Sequence, residues 1–142
     1  DFGKYTEKSV LKTCILPSKI TEIPERLLRN SEELTEISIP KGITKIGDWA
    51  FWNCKALRNV NIPNGVTEIG EYAFGNCKAL RNVNIPNGVT EIGRYAFYEC
   101  SNLASVTYKG NTYTSKSAIE KALTDAGVTL NEGIFYLTAL SD

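Results

Sequence analysis

Residues 57–79 read LRNVNIPNGVTEIGEYAFGNCKA, and residues 80–102 read LRNVNIPNGVTEIGRYAFYECSN, a copy that differs at only five positions. The unit before them, residues 34–56, is LTEISIPKGITKIGDWAFWNCKA. Leu34, Leu57, Leu80 and Leu103 therefore stand 23 positions apart, and Leu11 falls on the same grid. A fixed period in the range of about 20–50 residues marks stacked units, each burying its face against the next, rather than a globule around one central site.

Within a unit the opening segment alternates with period 2. Val60 and Ile62 point one way, Asn59 and Asn61 the other. Pro63 has no N–H for a ladder and should stop that strand, and Asn64-Gly65 supplies turn chemistry. A second short extended piece, Val66-Thr67-Glu68-Ile69, runs to Gly70. Glu71-Tyr72-Ala73-Phe74-Gly75-Asn76-Cys77 is too short for a free helix, and its spacing predicts a helical turn with Ala73, Phe74 and Cys77 inward. Stacking at about 4.8 Å per rung makes columns matter more than sequence neighbours. The Leu column, Ile39/Ile62/Ile85 and Phe51/Phe74/Phe97 should each run unbroken through the core.

This unit resembles the leucine-rich repeats of the BspA-like family, whose repeats also run to 23 residues with the pattern L-x-x-[IV]-x-I-P…I-G-x-x-A-F-x-x-C. Three units match it nearly position for position. The first unit, residues 11–33, keeps Leu11, Cys14, Leu16, Pro17, Ile20 and Ile23, but has Pro24-Glu25-Arg26-Leu27-Leu28 for Gly-x-x-Ala-Phe and Ser31 in the Cys column. Such degeneracy suits an end rung facing water. After Leu103 the first strand persists to Tyr108, then Lys109-Gly110-Asn111 turns into Thr112-Tyr113-Thr114. Ser117-Ala118-Ile119-Glu120 reads as a capping box opening a helix, with Ala118, Ile119, Ala122, Leu123 and Ala126 on one face and Gly127 as its stop. Leu130-Asn131-Glu132-Gly133-Ile134-Phe135 then repeats the pattern of Ile69-Gly70-Glu71-Tyr72-Ala73-Phe74. The expected fold is α/β: a right-handed leucine-rich-repeat solenoid of about five 23-residue rungs, with short strands in a parallel sheet along one face, short helical turns and a C-terminal helical cap. Residues 1–142 read as one repeat domain, with an N-terminal segment 1–10, four repeats over 11–102, and a split fifth repeat and cap over 103–142.

Composition removes several function classes. Sixteen basic side chains balance sixteen acidic ones, so no net field favours nucleic acid or an anionic membrane. No apolar run approaches the roughly 20 residues of a membrane helix. The opening DFGKYTEKSV lacks a basic stretch followed by an apolar one, so it does not read as a signal peptide, and Asp in place of an initial Met favours processing or trimming. No Asn-x-Ser/Thr sequon occurs. With no His the commonest general base and metal ligand is missing, and the cysteines form no C-x-x-C pair. No catalytic residue, metal site or cofactor is expected. Cys54, Cys77 and Cys100 should be buried, reduced thiols in one column, with Cys14 in a strand of the first unit.

Two surfaces could bind. The outward strand positions Asn59, Asn61, Asn82 and Asn84, flanked by Glu36 and Ser38 and by Ser105 and Thr107, should form a polar strip bordered by Arg58 and Arg81; its bland alternative is a solvated sheet face. The column Trp49, Tyr72, Tyr95, with Trp52 and Tyr98 three residues on, could hold sugars or equally serve as struts. The family resemblance implies a non-enzymatic adhesion or protein-interaction module of an extracellular or cell-surface protein, with a host matrix or cell-surface protein as ligand. The alternatives are a carbohydrate-binding accessory module using the aromatic column, and a structural spacer. Neither nucleic acid nor membrane insertion is expected.

Overall fold

The structure, a computed structural model, describes residues 13–142, so Leu11 and the N-terminal segment 1–10 lie outside the described residues. The chain winds as a parallel-strand solenoid in which each rung contributes two short strands. The second strands, β2 (Glu22–Ile23), β4 (Lys45–Ile46), β6 (Glu68–Ile69), β8 (Glu91–Ile92) and β11 (Thr129–Leu130), form one five-stranded parallel sheet. Its register is the sequence grid: Ile23 pairs with Ile46, Ile46 with Ile69, and Ile69 with Ile92. The first strands are β1 (Thr13–Ile15), β3 (Glu36–Ser38), β5 (Asn59–Val60), β7 (Asn82–Ile85) and β9 (Ser105–Tyr108). They are also parallel, but they do not form the single expected sheet. β1-β3-β5 make one three-stranded sheet; β7 and β9, joined by the antiparallel β10 (Asn111–Tyr113), make another.

The core is the set of columns. Leu34, Leu57, Leu80 and Leu103 are fully buried, and Ile39, Ile62 and Ile85 are buried beside them. Phe51, Phe74 and Phe97 stack with centroids 5.1 and 5.4 Å apart, and Phe135 continues the stack at 5.7 Å. Each buried Phe contributes roughly 1.5–3 kcal/mol relative to exposure. Gly47, Gly70 and Gly93 sit where the rungs come closest. A Cβ on Gly70 would lie 2.7 Å from the Asp48 nitrogen, and one on Gly47 would lie 2.6 Å from the Ile23 carbonyl oxygen. Each of these glycines also donates its N–H to the rung before, as Gly70 does to Ile46 at 2.8 Å. Pro24 holds the same position in the first described rung, where its missing N–H leaves no donor bare at the sheet edge.

The segment expected as a helical turn is a different structure, although Ala73, Phe74 and Cys77 do point inward and are fully buried. Trp49, Phe51 and Asn53 donate their N–H groups forward to the carbonyls of Glu71, Ala73 and Gly75, while Ala50, Trp52 and Cys54 donate three residues back within the rung. A helix would consume every N–H internally; here alternate donors tie rung to rung. The geometry places Trp49, Asn53, Tyr72, Asn76, Tyr95 and Glu99 at φ between +55° and +64°. For side chains other than Gly this conformation costs on the order of 1–3 kcal/mol, and the inter-rung bonds of the same residues offset it. Asn, which tolerates this region, adds a side-chain ladder: Asn53 Nδ2 donates to Asn30 Oδ1 at 2.9 Å, and Asn76 donates likewise to Asn53.

At the C-terminal end β9 turns into β10 and then the helix α1 (Lys116–Asp125). The capping box expected at Ser117 is not the cap. Ser115 is the N-cap, its Oγ accepting from the Ala118 N–H at 3.3 Å. Ser115 also bridges to Ser141, and Lys116 donates to the Ser141 carbonyl, so a contact with the end of the described chain decides where the helix starts. Ile119 and Leu123 are buried, whereas Ala118 and Ala126 are exposed: the apolar face is narrower than its alanines suggest. Gly127, at φ +86°, follows the Ala126 C-cap. The chain then rejoins the stack, with Leu130 paired to Ile92 and Tyr95 donating to the Glu132 carbonyl.

Candidate binding surface

The first-strand face opens where β5 and β7 fail to pair. The same two rungs stay tied elsewhere: Gly93 N–H reaches the Ile69 carbonyl, Thr90 N–H reaches Thr67, and Phe74 N–H reaches Ala96. The lapse is thus confined to one face. It leaves an open groove of about 620 Å³ with Glu36 and Asn59 on one wall, Asn82 and Asn84 on the other, and Arg58 and Arg81 at its border. Asn61 also lines it, over a floor that includes Ile37 and Val60. No feature of the two nearly identical repeats accounts for the opening.

The predicted strip divides here. Asn59, Asn61 and Asn84 are exposed and have no side-chain hydrogen bond among the described residues. Asn82 is engaged, donating to Ser105 Oγ at 2.7 Å and Thr107 Oγ1 at 3.3 Å across the paired β7 and β9. Ser105 and Thr107 are accordingly half-buried and lie outside the groove. Ser38 lines a neighbouring depression of about 330 Å³ with Glu36, Asn61 and the exposed Ile15.

The aromatic column is a wider lattice than its sequence suggests. Trp49 stacks on Tyr72 at 4.2 Å, and Tyr72 faces Tyr95 at 5.2 Å. A second column runs Trp52, Tyr98, Tyr136; Gly75 vacates its place there, since a Cβ would fall 2.4 Å from the Trp52 ring, and Trp52 and Tyr98 close to 6.5 Å. The columns meet edge to face, as in Trp49–Trp52 at 5.0 Å and Tyr95–Tyr98 at 5.5 Å. Gly133, at φ +64°, ends the first column because the Tyr95 ring lies 2.3 Å from where its Cβ would be. A hydrogen bond to the Glu132 carboxylate raises the Tyr95 phenol above its usual range, and Glu99 does the same for Tyr98. Both rings stay neutral at physiological pH.

The cysteines form the inward column expected of them. Cys54, Cys77 and Cys100 are fully buried free thiols. They donate to the carbonyls of Leu28, Phe51 and Phe74 at 3.2, 3.3 and 3.0 Å. Burial pushes the Cys54 thiol up to about 12 and the Cys77 thiol well above its ordinary value. Cys54 and Cys77 are therefore poor nucleophiles, because the thiolate is the reactive form. Ser31, in the same column, is fully buried with its Oγ unpartnered. Among the described residues, no three His, Cys, Asp or Glu groups gather to hold a metal, and no helix is long and apolar enough to cross a membrane.

A repeat lattice with rigid rungs, an amide-lined groove and a ring-stacked flank defines a leucine-rich-repeat protein. Residues 4–124 match the BspA type leucine rich repeat region in 6 copies, and the chain belongs to that family. A T. pallidum leucine rich repeat protein is 28% identical with a TM-score of 0.58, covering 69% of this chain and 59% of its own. A leucine rich cell surface protein from Faecalibacterium prausnitzii shares the fold at TM-score 0.67 and 24% identity, over 89% of this chain and 34% of its own. The pneumococcal vaccine antigen PcpA does so at 0.63 and 15%, over 85% and 41%. The chain therefore spans about a third to three fifths of these proteins' length. No curated protein matches it.

Proposed function

We propose that this chain is a non-enzymatic protein-binding module of a secreted or cell-surface protein, with its contact on the first-strand face at Asn59, Asn61, Asn84 and Glu36. The groove between β5 and β7 carries this reading, because it presents unengaged amides from two rungs on a rigid lattice. The backbone that carries these side chains is already ordered, so binding costs little beyond fixing the Asn rotamers, and an open surface of this kind suits a macromolecular partner. Likeness to a protein described as a cell surface protein supports the location. Surface adhesion is the specific role, with a matrix or cell-surface protein as ligand.

Carbohydrate binding is the second reading, supported by the lattice of Trp49, Tyr72 and Tyr95. Sugars stack on free ring faces, yet Tyr72 has Trp49 on one side and Tyr95 on the other. The covered rings favour the strut role. The test is binding of this chain to immobilised extracellular-matrix proteins and to a glycan array. Asn59→Ala/Asn84→Ala should abolish capture of a matrix protein, and Tyr72→Ala/Tyr95→Ala should spare it, with folding checked by circular dichroism. Loss only in the tyrosine pair, with glycan binding, would move the site to the aromatic lattice. No binding at all would favour the spacer.

A further inference from the structure

Arg58 and Arg81 occupy one column, a rung apart, and neither guanidinium has an ion-pair or hydrogen-bond partner among the described residues. Three residues earlier in each repeat the cations are paired: Lys55 with Glu32 at 3.9 Å and Lys78 with Glu99 at 3.6 Å. Like charges stacked without an ion-pair partner repel, so an incoming anion is attracted by both and relieves that repulsion. A guanidinium fork binds a carboxylate in two parallel hydrogen bonds, a stronger contact than a neutral one.

We infer that the groove recognises an extended acidic polypeptide segment, with two carboxylates two residues apart seated on Arg58 and Arg81. This rests on the sheet-face reading above and names its ligand chemistry. Alternate residues of an extended chain lie on one face roughly 6.5–7 Å apart, and two long arginine side chains splayed by their mutual repulsion can reach that spacing from Cα positions about 4.8 Å apart, one rung. Asn59, Asn61 and Asn84 then serve the peptide's own N–H and C=O groups, each amide both donating and accepting. Glu36 on the same wall argues against a uniform polyanion such as a sulfated glycan or nucleic acid, which would place charge against it. No aromatic ring lines the groove to stack a sugar or a base. The protein has no net charge, so attraction comes from this pair rather than from a global field.

The probe is a fluorescein-labelled ten-residue peptide with a central Glu-Val-Glu, compared with its Gln-Val-Gln twin by fluorescence polarisation. The Glu peptide should bind at least about tenfold tighter, as expected where charged pairs replace neutral ones. Raising salt should weaken it. Arg58→Gln/Arg81→Gln should lose that advantage with an unchanged melting temperature, since both side chains are exposed. Equal affinity for the two peptides, no detectable binding, or an unaffected arginine variant overturns the inference, as does heparin binding tighter than the Glu peptide. Failure here is separable from failure of the sheet-face reading. A captured matrix protein lost with Asn59→Ala/Asn84→Ala but kept with Arg58→Gln/Arg81→Gln refutes the acidic ligand alone.

Discussion

Phe74→Ala tests whether the stacked columns hold the molecule together. Phe74 is fully buried, and its ring lies between Phe51 at 5.1 Å and Phe97 at 5.4 Å, nearly parallel to both. Removing it forfeits the burial of a large ring, roughly 1.5–3 kcal/mol, and two ring contacts of about 0.5–1.5 kcal/mol each. The cavity cannot collapse cheaply, because each neighbouring rung is fixed by backbone bonds such as Phe51 N–H to Ala73 and Phe74 N–H to Ala96. A loss of about 4 kcal/mol is expected, within the usual 3–5 kcal/mol for a buried Phe. Phe135 supplies the control, since among the described residues it stacks on Phe97 alone. Phe135→Ala should cost about 1 kcal/mol less, one ring contact fewer. Urea denaturation followed by circular dichroism, with the slope fitted for each variant, measures both. A loss under about 1 kcal/mol at position 74, or a larger loss at 135 than at 74, refutes the column account.

The thiols and the close-packed glycines give further tests. Cys54, Cys77 and Cys100 should resist a thiol reagent in the native protein, and denaturation should release all four cysteines as free thiols; fewer would mean disulfides or oxidation. Burial pushes the folded Cys54 thiol up to about 12, well above a free thiol, so the native state holds a proton that the unfolded state releases. Its contribution is therefore intact below about pH 9 and declines as pH rises toward 12, by up to about 1.4 kcal/mol per pH unit. Urea midpoints at pH 8, 9 and 10 should fall more steeply in the wild type than in Cys54→Ala, and equal slopes would contradict this. Gly70→Ala should cost about 2–3 kcal/mol, since the new methyl meets Asp48 backbone at 2.7 Å. Gly65→Ala, with its nearest atom at 3.4 Å, should lie within about 1 kcal/mol of neutral; similar losses at both would remove close approach as the reason for Gly70.

The period made the columns legible. Once Leu and Phe recur every 23 residues, stacking follows from burial, and Phe97 on Phe135 shows the pattern surviving a helical insertion. What periodicity hides is backbone conformation. Tyr72 and Tyr95 adopt a left-handed φ with no glycine to announce it, because inter-rung bonds rather than local preference select it. The Asn30/Asn53/Asn76 ladder had a usable signal, an Asn directly before the cysteines at 54 and 77, but Glu99 breaks that column. The helix start is hidden for a related reason: Ser117 heads the capping box with Glu120, but the distant contact of Ser115 and Lys116 with Ser141 makes Ser115 the cap.

The groove poses the sharper case, because its two walls come from repeats that are nearly the same sequence. Asn59 and Asn82 occupy equivalent positions, yet Asn82 is bound to Ser105 and Thr107 while Asn59 faces open space beside an unpaired strand edge. The difference lies in what each faces: Asn82 meets two hydroxyls on β9, which pairs with β7 over four residues, whereas Asn59 has no such partner on the β7 side. Duplication sets Arg58 and Arg81 one rung apart at the same groove, and neither has an ion-pair partner among the described residues. Two guanidiniums carry donors only and, unlike the amides of the Asn30/Asn53/Asn76 ladder, cannot satisfy each other, which is why the acidic ligand proposed above is assigned to the junction of these two rungs.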